Sequence, residues 1–287
     1  MNTPNTTFGA QTPIPVEHPT IPVPVNRRRW WIHLALVCGY LIIAGAVGWG
    51  RNSNHSPALT HTVSGLLLVC MLELLFFALV MSLALISSGA SRDDLFLRWR
   101  GGFLPVPLGI GYSIALRIAV AITMMMVAFI AIVSRVMSPQ SLHQFSLAHR
   151  PEVEVMVDVS AMRHNPFYFW IVLTLVSFVV AGLREEFWRA AFFSGLRNLW
   201  PQSFSSRGGQ ILAMAVAAII FGMGHLAMGP VAVVLASLLG FGLGAIIVMH
   251  QSIWPAVIAH GVFDATSLAL LPWVQELLRN AQHALGP

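Results

Sequence analysis

The chain has 287 residues, 56% of them hydrophobic and only 9% charged, with a mean hydropathy of +0.74. A soluble globular protein carries about a quarter charged residues, so this one cannot cover its surface with charge and must be solvated mostly by lipid. The formal charge of +5 comes from arginine with no lysine; in an integral membrane protein such charge sets topology and attracts anionic lipid, and nothing calls for nucleic acid.

Residues 1–29 open with a polar, proline-rich stretch and end on Arg27, Arg28 and Arg29. That composition predicts a disordered tail on the cytoplasmic side, followed by a single integral membrane domain over 30–287. The first apolar stretch opens too late for a cleaved signal peptide and is read as an uncleaved helix. Stretches of roughly 20 apolar residues, the length of a span, lie near 31–49, 62–88, 105–134, 167–183 with a continuation to 196, 210–227, 230–249 and 253–272. The expected fold is therefore all-α, a polytopic membrane protein of about seven to eight transmembrane helices around a polar intramembrane cavity. Arginines cluster in 89–104 and 184–207, which places both stretches inside with the N-terminus and 136–166 outside. The expected location is the bacterial cytoplasmic membrane. Cys38 and Cys70 fall in apolar spans and form no disulfide framework. Glu73 and Arg117 are each expected as a buried partner or a residue near a bend, His250 at a helix end, and the glycines of LGFGLGA (239–245) as close-packing positions.

The stretch GLREEFWRAAFFSG, residues 182–195, sets Arg184, Glu185, Glu186 and Arg189 amid apolar sequence. Each charge at a helix centre costs roughly 2.5 to 3.5 kcal/mol, so four unpaired ones would cost on the order of 10 kcal/mol. Glu185 and Arg189, four apart, are expected to pair in part, with Glu186 turned toward another partner. Taken alone, this could be a charged cap where a helix leaves the membrane. Two later stretches argue for more. FGMGH places Phe221 and His225 four apart, and HGVFD does the same for His260 and Asp264. Polar groups in a bilayer turn to the bundle interior, so the carboxylates and histidines of three helices should converge. A carboxylate in an apolar site can serve as general base, a histidine can orient the same water, and a second histidine with Asp264 can face an oxyanion. Neither Gly-x-Ser-x-Gly nor His-Glu-x-x-His occurs in the chain, which leaves a glutamate-activated water as the candidate.

In order, EEFWR, FGMGH and HGVFD resemble the E-E-x-x-x-R, F-x-x-x-H and H-x-x-x-N/D motifs of the CPBP family, EEFWR with one residue fewer before its arginine. That family comprises type II CAAX prenyl endopeptidases and bacteriocin-processing or immunity proteins, also called the Abi family. The resemblance covers 165–272. It implies an intramembrane endopeptidase acting on a peptide or protein near the membrane. Glu185 would then be the general base working with His225, His260 and Asp264 would line the oxyanion site, and Glu186 and Arg189 would support the first motif. No cofactor is required; were a divalent metal such as zinc held, Glu185, His225 and His260 are the expected ligands. The prenyl endopeptidases resemble H-x-x-x-N at the third motif, whereas this chain has Asp264, so a prenyl substrate is less well supported than the family. Two other readings stand beside the protease: a non-catalytic immunity or scaffold protein of the same fold, and a proton-coupled transporter.

For Glu185 and His225 to meet, span four must run on through AAFFSGL, and span five must break near Gly222–Gly224 or Gly229–Pro230, where glycine and proline permit it.

Overall fold

The computed structural model describes residues 26–52, 58–99 and 101–285. Three long helices come first: α1 (Arg27–Asn52), α2 (Val63–Ser88) and α3 (Pro105–Val133). Two short ones follow, α4 (Pro139–Ala148) and α5 (Val159–His164). The second half holds α6 (Pro166–Leu199), α7 (Arg207–Met223), α8 (Pro230–His250) and α9 (Trp254–Leu285). No strand occurs among the described residues. The chain is a polytopic all-α membrane protein. Six helices are long and apolar enough to cross a membrane, while α7, with 17 residues, is shorter. At 1.5 Å per residue it reaches about 25 Å, against about 30 Å of hydrocarbon, and this accounts for the difference from seven.

Local chemistry sets the helix ends. Thr62 caps α2, its hydroxyl accepting from the Gly65 N–H at 3.1 Å, and the left-handed Gly89 (φ 69°) closes it, a conformation that suits glycine. Asn165 caps α6 just before Pro166 at its first position, where the missing proline N–H costs nothing. The first helix opens at Arg27, inside the stretch expected as tail. There Arg27 donates Nη2 to the Leu199 carbonyl at 3.3 Å, and Arg29 donates Nε to the Ser87 carbonyl at 2.6 Å. Two cations thus occupy the carbonyl ends of α6 and α2, where the helix dipole favours positive charge. Residues 1–25, the rest of the expected tail, lie outside the described residues.

Helix α6 is the central element. The His33 ring of α1 sits fully buried between α2 and α6, Nδ1 3.1 Å from the Ala84 carbonyl and Nε2 3.0 Å from the Ala191 carbonyl. The Trp188 indole donates to the Val37 carbonyl at 2.9 Å. From Val172 to Leu183 the helix winds as a π-helix, and it returns to α at Arg184. That segment packs against α9 so closely that a Cβ on Gly182 would stand 3.0 Å from the Val257 carbonyl oxygen. Helices α7 and α8 are equally tight, since a Cβ on Gly222 would lie 2.6 Å from the Val233 carbonyl oxygen. The glycines of 239–245 serve as expected: Gly240 packs on Phe221, Gly242 on Leu116 and Gly244 on Met214. His250 ends α8 and meets the Tyr112 hydroxyl at 2.8 Å. Arg117 of α3 holds α9 through the Phe263 carbonyl, Thr266 and Ser267.

Between α3 and α6 the chain is anchored at Asp158. Its carboxylate caps α5 through the Ala161 N–H at 2.9 Å and meets His61 Nδ1. Burial pushes the Asp158 carboxyl up, but the N–H groups of Ala161 and Ser160 and the His61 imidazole outweigh it and hold it below the ordinary carboxylate value. A depressed carboxyl adds stability above its ordinary value of about 3.9, and that stability is lost as pH falls through the folded value. Limited proteolysis between 134 and 165 should accordingly increase only below about pH 4 in the native chain, and at neutral pH in Asp158→Asn. Equal cutting of both proteins at pH 7 would remove this anchor from the account.

Candidate active site

The three motifs meet. Arg184, Glu185, Glu186 and Arg189 occupy the first two turns of regular α-helix after the π segment. The run through AAFFSGL is continuous with it, as the convergence requires. Helix α7 stops at Met223, and His225 leads into a 3-10 turn, Leu226–Met228. Gly229 at φ 98° then starts α8. The break therefore takes in both positions expected for it, the helix stopping within Gly222–Gly224 and the next starting at Gly229–Pro230. Segment 151–153 lies against this turn, the Glu152 N–H donating to the Met228 carbonyl at 3.1 Å.

The pairing differs from the expected one. Arg189 pairs with Glu186, three residues before it, rather than with Glu185, and both side chains are fully buried. Helical spacing allows either partner; burial decides. Glu186 is surrounded by protein and needs a counter-charge, while Glu185, 17% exposed, pairs with the neighbouring Arg184 at 3.1 Å. Arg184 also reaches Glu73 of α2 at 2.9 Å, so Glu73 is paired as expected but half-exposed rather than buried. Burying charges in lipid is tolerable only with such pairing.

His260 links the two halves of the site. Its Nδ1 lies 2.9 Å from Glu186 Oε1; a carboxylate accepts, so Nδ1 carries the proton and donates. Its Nε2 then faces Glu185 Oε2 at 3.7 Å and Asp264 Oδ2 at 3.6 Å. Glu73, Arg184, Glu185, His260 and Asp264 thus form a polar row from α2 across α6 to α9. The row is open at both ends, with Glu73 42% and Asp264 27% exposed, while His260 within it and Glu186 and Arg189 behind it are buried.

His225 joins from the side. Its Nδ1 lies 3.0 Å from the Phe221 carbonyl, which can only accept, so Nε2 is left as an acceptor. The Phe221 ring stands edge-on to His225 at 4.8 Å and to His260 at 6.2 Å, with the Arg189 guanidinium over its face at 4.8 Å. His225 and Arg117 lie within Coulomb range of Asp264. No hydrogen bond or ion pair joins His225 directly to Glu185 among the described residues; the imidazole nearest to Glu185 is that of His260.

The residues expected for a metal, Glu185, His225 and His260, do not form a ligand set as folded. Among the described residues no group of three or more His, Cys, Asp or Glu is placed to hold a metal ion, and His260 Nδ1 is committed to Glu186.

Sequence reading passed over Arg184 as a ligand of Glu185 and Tyr40 as its neighbour. Tyr40 is buried on α1 within electrostatic reach of the Arg184 guanidinium. No motif contains either contact. No curated protein and no solved structure matches the chain. Residues 166–266, which carry Glu185, Glu186, Arg189, His225, His260 and Asp264, match the family described as Type II CAAX prenyl endopeptidase Rce1-like, the protease family that the three motifs resemble.

Proposed function

We propose that the protein is an intramembrane endopeptidase in which Glu185 activates a water molecule against a peptide bond of a membrane-associated substrate. The observation that carries the reading is the half-engaged state of Glu185: one oxygen is held by Arg184 at 3.1 Å, and the other faces His260 at 3.7 Å without a hydrogen bond. That second oxygen has no hydrogen-bond partner among the described residues, so it is the one open to a water.

In this reading Glu185 Oε2 takes a proton from the water while His225 Nε2 accepts its second hydrogen bond. The water oxygen attacks the carbonyl carbon, and the carbonyl oxygen becomes an oxyanion. His260 donates to it when Nε2 carries a proton, with Asp264 as counter-charge. Glu185 then returns its proton to the leaving amine nitrogen, the C–N bond breaks, and the carboxylate is regenerated. Glu186 orients His260 through Nδ1, and Arg189 holds Glu186. The reaction as drawn uses no metal or other cofactor. The substrate is a peptide or protein segment reaching the site through lipid, and the enclosing membrane is the bacterial cytoplasmic membrane.

The test is a comparison of new protein N-termini in membranes of cells expressing the native chain or Glu185→Gln. Termini present only with the native chain are expected and name the substrate. A deletion phenotype rescued by Glu185→Gln, with no terminus changed, would replace the protease with a partner-binding protein.

The orientation follows from charge. Arg27, Arg28, Arg29, Arg92, Arg98, Arg197 and Arg207 lie at the end of the bundle where α1 begins and α2 and α6 finish, and such an end stays in the cytoplasm. A cysteine at position 28 should react with an impermeant maleimide only after the cells are opened. Labelling in intact cells would invert the topology.

A further inference from the structure

The family match begins at residue 166, yet the polar row continues beyond it onto the two helices at the head of the chain. Arg184 donates Nη1 to Glu73 Oε2 at 2.9 Å and Nη2 to Glu185 Oε1 at 3.1 Å. Tyr40, buried on α1, lies within electrostatic reach of the same guanidinium. One planar cation therefore spans two carboxylates from separate helices. Its two donors are rigidly spaced, so whatever holds one of them also places the other.

Glu73 is costly where it stands. Its side chain is 42% exposed, and its neighbours Leu72 and Leu75 are 58% and 62% exposed on the same apolar helix. A carboxylate on such a surface needs a partner, and the only ion pair described for it is to Arg184. Without Glu73, the Arg184 fork has a single carboxylate in reach. A guanidinium then closes on that carboxylate with both donors, the preferred bidentate geometry. Closure would occupy Glu185 Oε2, the oxygen left facing His260.

We propose that Glu73 is a positioning residue of the active site, acting from α2 through Arg184: it holds the guanidinium astride two carboxylates, so that only one oxygen of Glu185 is engaged and the other stays available to water. The inference rests on Glu185 being the general base. It makes α2, outside the matched segment, part of the catalytic apparatus. Neutralisation of Arg184 alone is the simpler role for Glu73, and it predicts a less stable protein with normal turnover in the folded fraction.

The experiment uses the full chain in detergent and a quenched-fluorescent peptide carrying the cleavage sequence found by the N-terminal comparison. Glu73→Gln keeps an amide oxygen for Nη1 and should lose less than about tenfold in kcat, whereas Glu73→Ala should lose about a hundredfold, both at unchanged KM. The double variant Glu73→Ala with Arg184→Met removes the misplaced fork and should recover part of the kcat lost by Glu73→Ala. If Glu73→Ala does not fold, Glu73→Gln and the double variant decide. Native kcat per folded molecule in Glu73→Ala overturns the proposal, as does a risen KM at native kcat, or a double variant no better than the single. Should the native chain itself show no Glu185-dependent cleavage, the endopeptidase reading fails and the role of Glu73 falls with it, an outcome distinct from native cleavage that is indifferent to Glu73.

Discussion

Arg189→Ala is expected to destabilise the folded bundle by about 3–5 kcal/mol, the usual cost of removing one partner of a buried ion pair. Both side chains of the Arg189–Glu186 pair are fully buried, so water cannot replace the missing cation. Glu186 would keep only the His260 Nδ1–H at 2.9 Å. The void would also unseat Phe221, whose ring now lies under the guanidinium at 4.8 Å. The pair itself is no proof of net stability, because Arg189 Nε and Nη2 have no hydrogen-bond partner among the protein atoms. Replacing both residues together, Glu186→Gln with Arg189→Met, should therefore restore most of the stability lost in the single variant. Thermal unfolding in detergent followed by tryptophan fluorescence reads both. An Arg189→Ala protein that melts with the native one would show that the pair is not the buried charge contact described. The double variant should still turn over slowly, because His260 would lose the carboxylate that orients it.

Glu185→Gln should cost about 10²- to 10⁴-fold in kcat, the range for loss of a general base, with the melting temperature near the native value. The two effects separate because Glu185 is 17% exposed and pairs through one oxygen only. Glutamine keeps an acceptor for Arg184 at that oxygen but cannot take a proton from water at the other. The two variants should thus separate stability, held mainly behind the polar row at Glu186 and Arg189, from the chemistry proposed for its front.

Much of this was legible in the sequence, for reasons that can be named. Four-residue spacing put His260 and Asp264 on one helical face, and the structure sets them 3.6 Å apart. Glycine and proline around 222–230 predicted the break that frees His225 from the α7 helix. Absence of charge from 208 to 263 made the histidines conspicuous. What escaped depends on tertiary context. Arg189 could have met Glu185 or Glu186 by spacing alone, and only burial chose Glu186. The π-helical segment 172–183 leaves no mark in composition, since Val, Leu and Ser suit either register; it is visible only in the fold. Glu73 and Arg184 are 111 residues apart, and no local pattern links them.

The central claim, that Glu185 hydrolyses a peptide bond, is tested most directly with purified native and Glu185→Gln proteins in liposomes, given the substrate peptide in oxygen-18 water. The native chain alone should yield two fragments, one heavy oxygen entering the new carboxyl terminus. Equal cleavage by Glu185→Gln, with both proteins folded, would contradict that claim.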